Sequence, residues 1–206
     1  MLENIPHWLG RALTKIRAGH DKLTVARLDL EGAEALDLSS TAFASGDRLP
    51  ERFTADGDGV SPPLMWRNIP EGTASLALIV EDPDAPTPRP IVHAIVIDID
   101  PGLNALEEGA ITADGDGAKG KDVGKNSRLA EGWLPPDPPT GHGPHDYVFQ
   151  LFALRGGASD AMPSPGRSDF IEHVQGRILA VGVLIGTYSR GEEAEIGVIE
   201  ATPATA

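Results

Sequence analysis

Between Pro135 and Leu154 the chain reads PPDPPTGHGPHDYVFQLFAL, and no other stretch restricts its folding as much. Prolines fix φ and remove backbone donors, and the glycines favour turns. The first half is therefore neither a helix nor an ordinary strand. The second half alternates. Tyr147, Phe149, Leu151 and Ala153 fall on one face, and Val148, Gln150, Phe152 and Leu154 on the other, which predicts a strand over 147–154. A proline-braced loop thus delivers His142, His145 and Tyr147 to the mouth of a buried strand. Rigid loops on strand ends are where binding sites are commonly built.

The remaining apolar segments are short and separated by turn signals. Leu36–Phe43 alternates, Leu64–Trp66 is a short apolar run, Ser75–Val80 reads SLALIV, Ile91–Ile99 reads IVHAIVIDI, and Leu184–Tyr188 closes the series. Residues 102–132 are loop-rich. Asp169 and Glu172 form a capping pair. Phe170, Val174 and Ile178 recur four residues apart, predicting one helix over Asp169–Val181. Short strands punctuated by turns, with one late helix, argue for an all-β sandwich rather than βαβ units. The 24 glycines and 18 prolines in 206 residues point the same way.

Charge narrows the partners. The net charge is −14, which disfavours nucleic acid and anionic membrane surfaces, since both need a cationic footprint. Residues 1–35 differ from the body. Leu2, Ile5, Trp8, Leu9, Leu13 and Ile16 are spaced for an amphipathic helix over Pro6–Ala18, and Arg11, Lys15, Arg17, Lys22 and Arg27 oppose Glu3 and Asp21. This basic arm is expected to dock on the acidic body, in the same chain or in a homodimer partner. Residues 36–190 form the folded domain, and 191–206 an acidic tail. The absence of cysteine removes disulfides, thiolate metal sites and a Cys nucleophile. With no membrane-length or secretory apolar run, a cytoplasmic location is expected.

Chemistry concentrates in two places. EDPDAP at 81–86 puts three carboxylates at the tip of an apolar strand, which is costly unless they are hydrogen-bonded or paired. Asp82 and Asp84 are expected either to accept backbone N–H bonds or to orient a histidine. His93 lies in an otherwise apolar strand. A lone His there is more often a core residue than a site residue, but His142 and His145 in the rigid loop raise its standing. Asp82, His93, His145 and Tyr147 together would make a small polar pocket suited to an anionic oxygen ligand. Other chemistries fit less well. The histidines lack the spacing of a zinc site, so no metal or other cofactor is expected. DGDG at 56–59 and 114–117 opens like a calcium loop, but Ser61, Arg67, Lys119 and Lys125 occupy the places where Gly and Glu are needed. No G-x-S-x-G elbow and no phosphate-loop or dinucleotide glycine fingerprint occurs.

SPPLMW (61–66), EDPDAP (81–86), VHAIVIDI (92–99), PPTGHGPHDYVFQLFAL (138–154) and GTYSR (186–190) stand in an order and spacing that resembles the phosphatidylethanolamine-binding protein family. The closer likeness is to its bacterial branch, often called Raf kinase inhibitor-like proteins. The resemblance covers residues 36–190. It implies two antiparallel sheets in a Greek-key sandwich with a C-terminal helix, and a surface pocket that takes phosphate or other small anions. Carried over residue by residue, it implies ligand contacts from Asp82, His93, Pro138, Pro139, His145 and Tyr147, with Asp84 holding the loop behind them. The chain departs from the pattern at Asp146, where the family usually has arginine, and around Pro135-Pro136-Asp137. Carboxylates at 137 and 146 would oppose phosphate if they faced the pocket.

Three functions compete on these residues. The first is a non-enzymatic protein with a small anion pocket, where His93 and His145 donate and Asp82 fixes a tautomer. The second is an inhibitor of a kinase or protease, acting through the pocket-rim loops. The third is a small-molecule enzyme using His93 or His145 as general acid/base.

Overall fold

The computed structural model describes residues 17–113, 122–156 and 164–191. Its strands are β1 (Glu34–Ala35), β2 (Asp37–Ser39), β3 (Leu64–Arg67), β4 (Thr73–Asp82), β5 (Ile91–Ile99), β6 (Ala105–Leu106), β7 (Asp122–Val123), β8 (His145–Arg155) and β9 (Ile178–Tyr188). The helices are α1 (Thr24–Arg27), preceded by a 3-10 turn at His20–Lys22, and α2 (Arg167–Val174). A six-stranded sheet runs β1-β9-β8-β4-β5-β7, and a three-stranded sheet runs β2-β3-β6. Pairing is antiparallel except between β1 and β9. The expected all-β class with one late helix is what the chain adopts.

The alternation read along β8 is realised as two cores. Tyr147, Phe149, Leu151 and Ala153 join Trp66, Leu76, Leu78 and Leu184 on one face of the large sheet. Phe152 and Leu154 join Ile79, Ile95, Phe170 and Val174 on the other. Strands β4, β5 and β8 are therefore buried on both sides, which explains their near-continuous apolar sequences. The small sheet closes on β9 at Gly182, where a Cβ would come within 2.6 Å of the Leu36 carbonyl.

The late helix is shorter and earlier than its periodicity predicts. It spans Arg167–Val174, and Ile178 opens β9, pairing with Leu154. Asp169 is its third residue, not its cap, and accepts the Gly166 N–H at 2.9 Å. Gly176 at φ 72° turns the chain between helix and strand, so the i, i+4 match of Val174 and Ile178 joins two different elements. The last strand is longer than Leu184–Tyr188 for the same reason. The first predicted strand shrinks to Asp37–Ser39, and the loop-rich 102–132 segment contains β6 and, among its described residues, β7.

The helix expected over 6–18 lies outside the described residues except for Arg17 and Ala18, which are coil. The second DGDG and residues 192–206 also lie outside. Residues 17–28 run along their own chain's body. The Ala18 and Gly19 amides donate to the Ala85 and Pro83 carbonyls at 3.0 and 2.8 Å. The Thr24 N–H reaches Glu81 Oε2 at 2.7 Å, and the Val25 N–H reaches Gln150 Oε1 at 2.7 Å. Glu81 is fully buried and is answered by Arg167 Nε at 2.5 Å and Gln150 Nε2 at 2.9 Å. Arg167 also donates to the Lys22 carbonyl at 2.6 Å.

Candidate functional site

The end of β4, the start of β5 and the proline loop leading into β8 enclose a cavity of about 160 Å³. Asp82, His93, Pro138, Pro139 and His145 line it, with Leu134, Asp137, Ser127 and Arg128 completing much of the wall. Five of the six residues carried over by resemblance therefore meet around one space. The sixth, Tyr147, is not part of the lining. It is fully buried behind His93, edge-on to the imidazole with ring centroids 5.0 Å apart.

Asp82 does both things expected of it. Its Oδ1 accepts the Asp84 and Ala85 amides at 2.8 and 3.0 Å, shaping the DPDAP turn. Its Oδ2 lies 2.8 Å from His145 Nδ1. A carboxylate partner makes Nδ1 the protonated nitrogen. His145 Nε2 is in turn 2.6 Å from His142 Nδ1, so Asp82, His145 and His142 form one buried chain. Both ring nitrogens of His145 are taken by protein groups. It shapes the wall and is not a free donor to a ligand.

His93 is the reverse case. Its Nδ1 lies 2.6 Å from the Leu134 carbonyl, which can only accept, so Nδ1 carries the proton. Its Nε2 is buried and has no hydrogen-bond partner. Burial holds the imidazole below its ordinary 6.5, outweighing the nearby Asp82 carboxylate. The ring is neutral at pH 7 and Nε2 is a lone pair. The Tyr147 hydroxyl is also buried without a partner. Burial, reinforced by Asp82, pushes it well above 10, so it stays protonated.

The two extra carboxylates part company. Asp146 is absent from the cavity wall and pairs with His20 Nε2 at 3.1 Å. Asp137 does line the cavity, but Arg190 pairs with its Oδ1 and Arg128 Nη2 lies 3.6 Å from its Oδ2. Arg190 is almost fully buried and also holds Asp56 Oδ2 at 2.6 Å and the Pro138 carbonyl at 3.3 Å. Asp56, from the first DGDG, accepts the Tyr188 hydroxyl as well, at 2.7 Å. Arg190 and Arg128 are the site residues that sequence reasoning missed. Arg190 sits in the GTYSR segment, but its partners lie 134 and 53 residues away, and no spacing rule links them.

Asp84 holds the loop from behind. One oxygen accepts the Asp146 amide at 2.8 Å, and the other pairs with Arg17. His20, Asp84 and Asp146 offer ligand atoms within 4.8 Å of one another. Arg17 and the Asp146 amide already occupy both Asp84 oxygens, so a cation there would have to displace a guanidinium.

A β-sandwich whose strand ends carry a Asp-Pro-Asp turn, a buried His and a proline–histidine loop around a small cavity defines a family by fold and site together. The family model described as phosphatidylethanolamine-binding protein matches residues 39–189, and the chain belongs to that family. Similar proteins include the UPF0098 protein of Methanothermobacter thermautotrophicus, 38% identical over 156 residues, covering 76% of this chain and all of the relative. The Aquifex aeolicus UPF0098 protein is 36% identical over 160 residues, covering 77% and 91%. Among solved structures, a phosphatidylethanolamine-binding protein homologue from Chlamydia trachomatis superposes with a TM-score of 0.68 at 33% identity, over 77% of this chain and 99% of that one. E. coli YbcL gives 0.69 at 27% identity, over 75% and 98%. Among the described residues, no helix is long and apolar enough to cross a membrane.

Proposed function

We propose that this chain is a non-enzymatic binding protein whose cavity takes a small oxyanion, of the size of phosphate or a phosphorylated headgroup. The observation that carries the reading is His93 Nε2, an atom of a cavity-lining residue that is buried without a partner, with the Tyr147 hydroxyl also unpartnered behind the ring. Buried polar atoms are nearly always paired, and a lone one marks a place for water or ligand. Arg128 supplies positive charge at the wall, and Asp137 is offset by Arg190. The one hydroxyl of the wall, Ser127 Oγ, accepts the Val92 amide at 2.8 Å, and both nitrogens of His145 are engaged, which favours binding over turnover. A protein partner would meet the rim loops, and the acidic surface favours a basic one. Location in the cytoplasm is part of the same reading. A Mycobacterium tuberculosis relative, 42% identical over 122 residues, bears the lipoprotein name LppC, so cell fractionation is the check on location.

The test is a titration with inorganic phosphate and phosphorylethanolamine, followed through histidine ring signals. Saturable shifts at His93, lost in His93→Ala, are expected. Unshifted signals at millimolar ligand would remove the anion reading and return attention to partner proteins.

A further inference from the structure

We infer that the ligand must bring its own proton: the cavity selects an oxyacid that keeps an O–H, such as inorganic phosphate or a protonated phosphomonoester, and rejects sulfate and phosphodiesters. This rests on the anion reading above and specifies the ligand class for the same site.

The inference starts from His93. The Leu134 carbonyl at 2.6 Å fixes the Nδ1–H tautomer, so the ring's remaining polar atom is an acceptor. The groups around it come from several elements, and two of them are carboxylates that also accept. Asp82 on β4 and Asp137 in the proline loop present carboxylates to the cavity. His145 on β8 has no free nitrogen. Tyr147, also on β8, offers a hydroxyl from behind the ring. Arg128 is the cation of the wall, and it lowers the proton affinity of His93 along with His145. A fully ionised tetrahedral anion would place an oxygen lone pair against the Nε2 lone pair. A P–O–H would turn that contact into a hydrogen bond, with the proton staying on the ligand and no bond broken. Leaving a buried acceptor facing another acceptor forfeits the bond and the desolvation of both groups.

Chemistry then sorts the ligands. Inorganic phosphate carries at least one P–O–H throughout the neutral range. A phosphomonoester carries one only below its second pKa of about 6. Sulfate and phosphodiesters, the latter being the linkage of an intact phospholipid, carry none near neutrality.

The experiment is calorimetry on the full chain with inorganic phosphate, phosphorylethanolamine, sulfate and glycerophosphorylethanolamine, at pH 5.5 and pH 8. Phosphate is expected to bind at both pH values. Phosphorylethanolamine should bind at pH 5.5 and weaken at pH 8. Sulfate and the diester should bind at least about tenfold more weakly than phosphate throughout. Sulfate or the diester binding as tightly as phosphate overturns the inference while leaving an anion pocket in place. If none of the four binds, the anion reading itself falls and takes this one with it. His93→Ala should erase the preference for phosphate over sulfate. Should that variant fail to fold, the wild-type ratio still decides.

Discussion

His93 and His173 are both held below their ordinary 6.5, each chiefly by burial. The unfolded chain takes up these protons as pH falls through 6.5, and the folded chain does not. Their contribution to stability is therefore full above that value and lost below it. The unfolding free energy from urea melts is expected to fall between pH 7.5 and pH 5.5, by about 1 kcal/mol in all for His93 while its folded form stays neutral. His93→Gln should flatten the slope, and an unchanged slope would show that His93 titrates normally. Arg190→Met tests the other buried charge. It strands Asp137 and Asp56 without their guanidinium, and a loss of about 2–4 kcal/mol is expected in denaturant melts. At this scale the sequence was informative about which side chains meet and much less so about what each one does. Asp-Pro-Asp and Pro-His-Asp-Tyr mark the cavity because proline-locked turns are local chemistry. The direction of each hydrogen bond depends on a distant carbonyl, as at Leu134, or on a guanidinium far along the chain, as at Arg190.

The long strands follow from their own residues. β5 was legible to the residue, since Ile91–Ile99 is apolar at every position but His93 and Asp98 and lies between turn signals. The late helix was not, because one glycine at positive φ separated residues that share a helical period. The sequence places Glu81 among three carboxylates at a strand tip without singling it out, yet it is the anchor between β4, α2 and the first residue of α1. Arg167→Met would leave that carboxylate buried with only Gln150 and an amide. We expect a loss of about 3 kcal/mol or more, and faster hydrogen exchange at Thr24 and Val25 than elsewhere. Uniform change in exchange across the sheet would mean that Glu81 serves the core alone. Gly182→Ala probes the seam between sheets. The added methyl meets a backbone carbonyl that cannot rotate away, so a loss of about 1–3 kcal/mol is expected in thermal melts.

Taken whole, the molecule is an acidic body with residues 17–28 laid along it, and the charge contrast visible between residues 1–35 and the rest has a structural counterpart in the Arg17–Asp84 and His20–Asp146 pairs. The family match begins at residue 39, so Arg17 to Leu38 is an addition to the matched span. That addition includes β1, which lies along the outer side of β9 at Ala180 and Val181. The loop at 46–49 covers β9 further on, through bonds to Ile185 and Thr187. Without β1 and the Leu36 amide, the upper stretch of an eleven-residue strand would present unpaired carbonyls and amides to solvent. Such an edge is a template for joining another chain. A version trimmed to residues 39–191, which keeps Arg190, is therefore expected to self-associate in light scattering where the full chain does not. The short opening strand, two residues long, then acts as a guard against polymerisation.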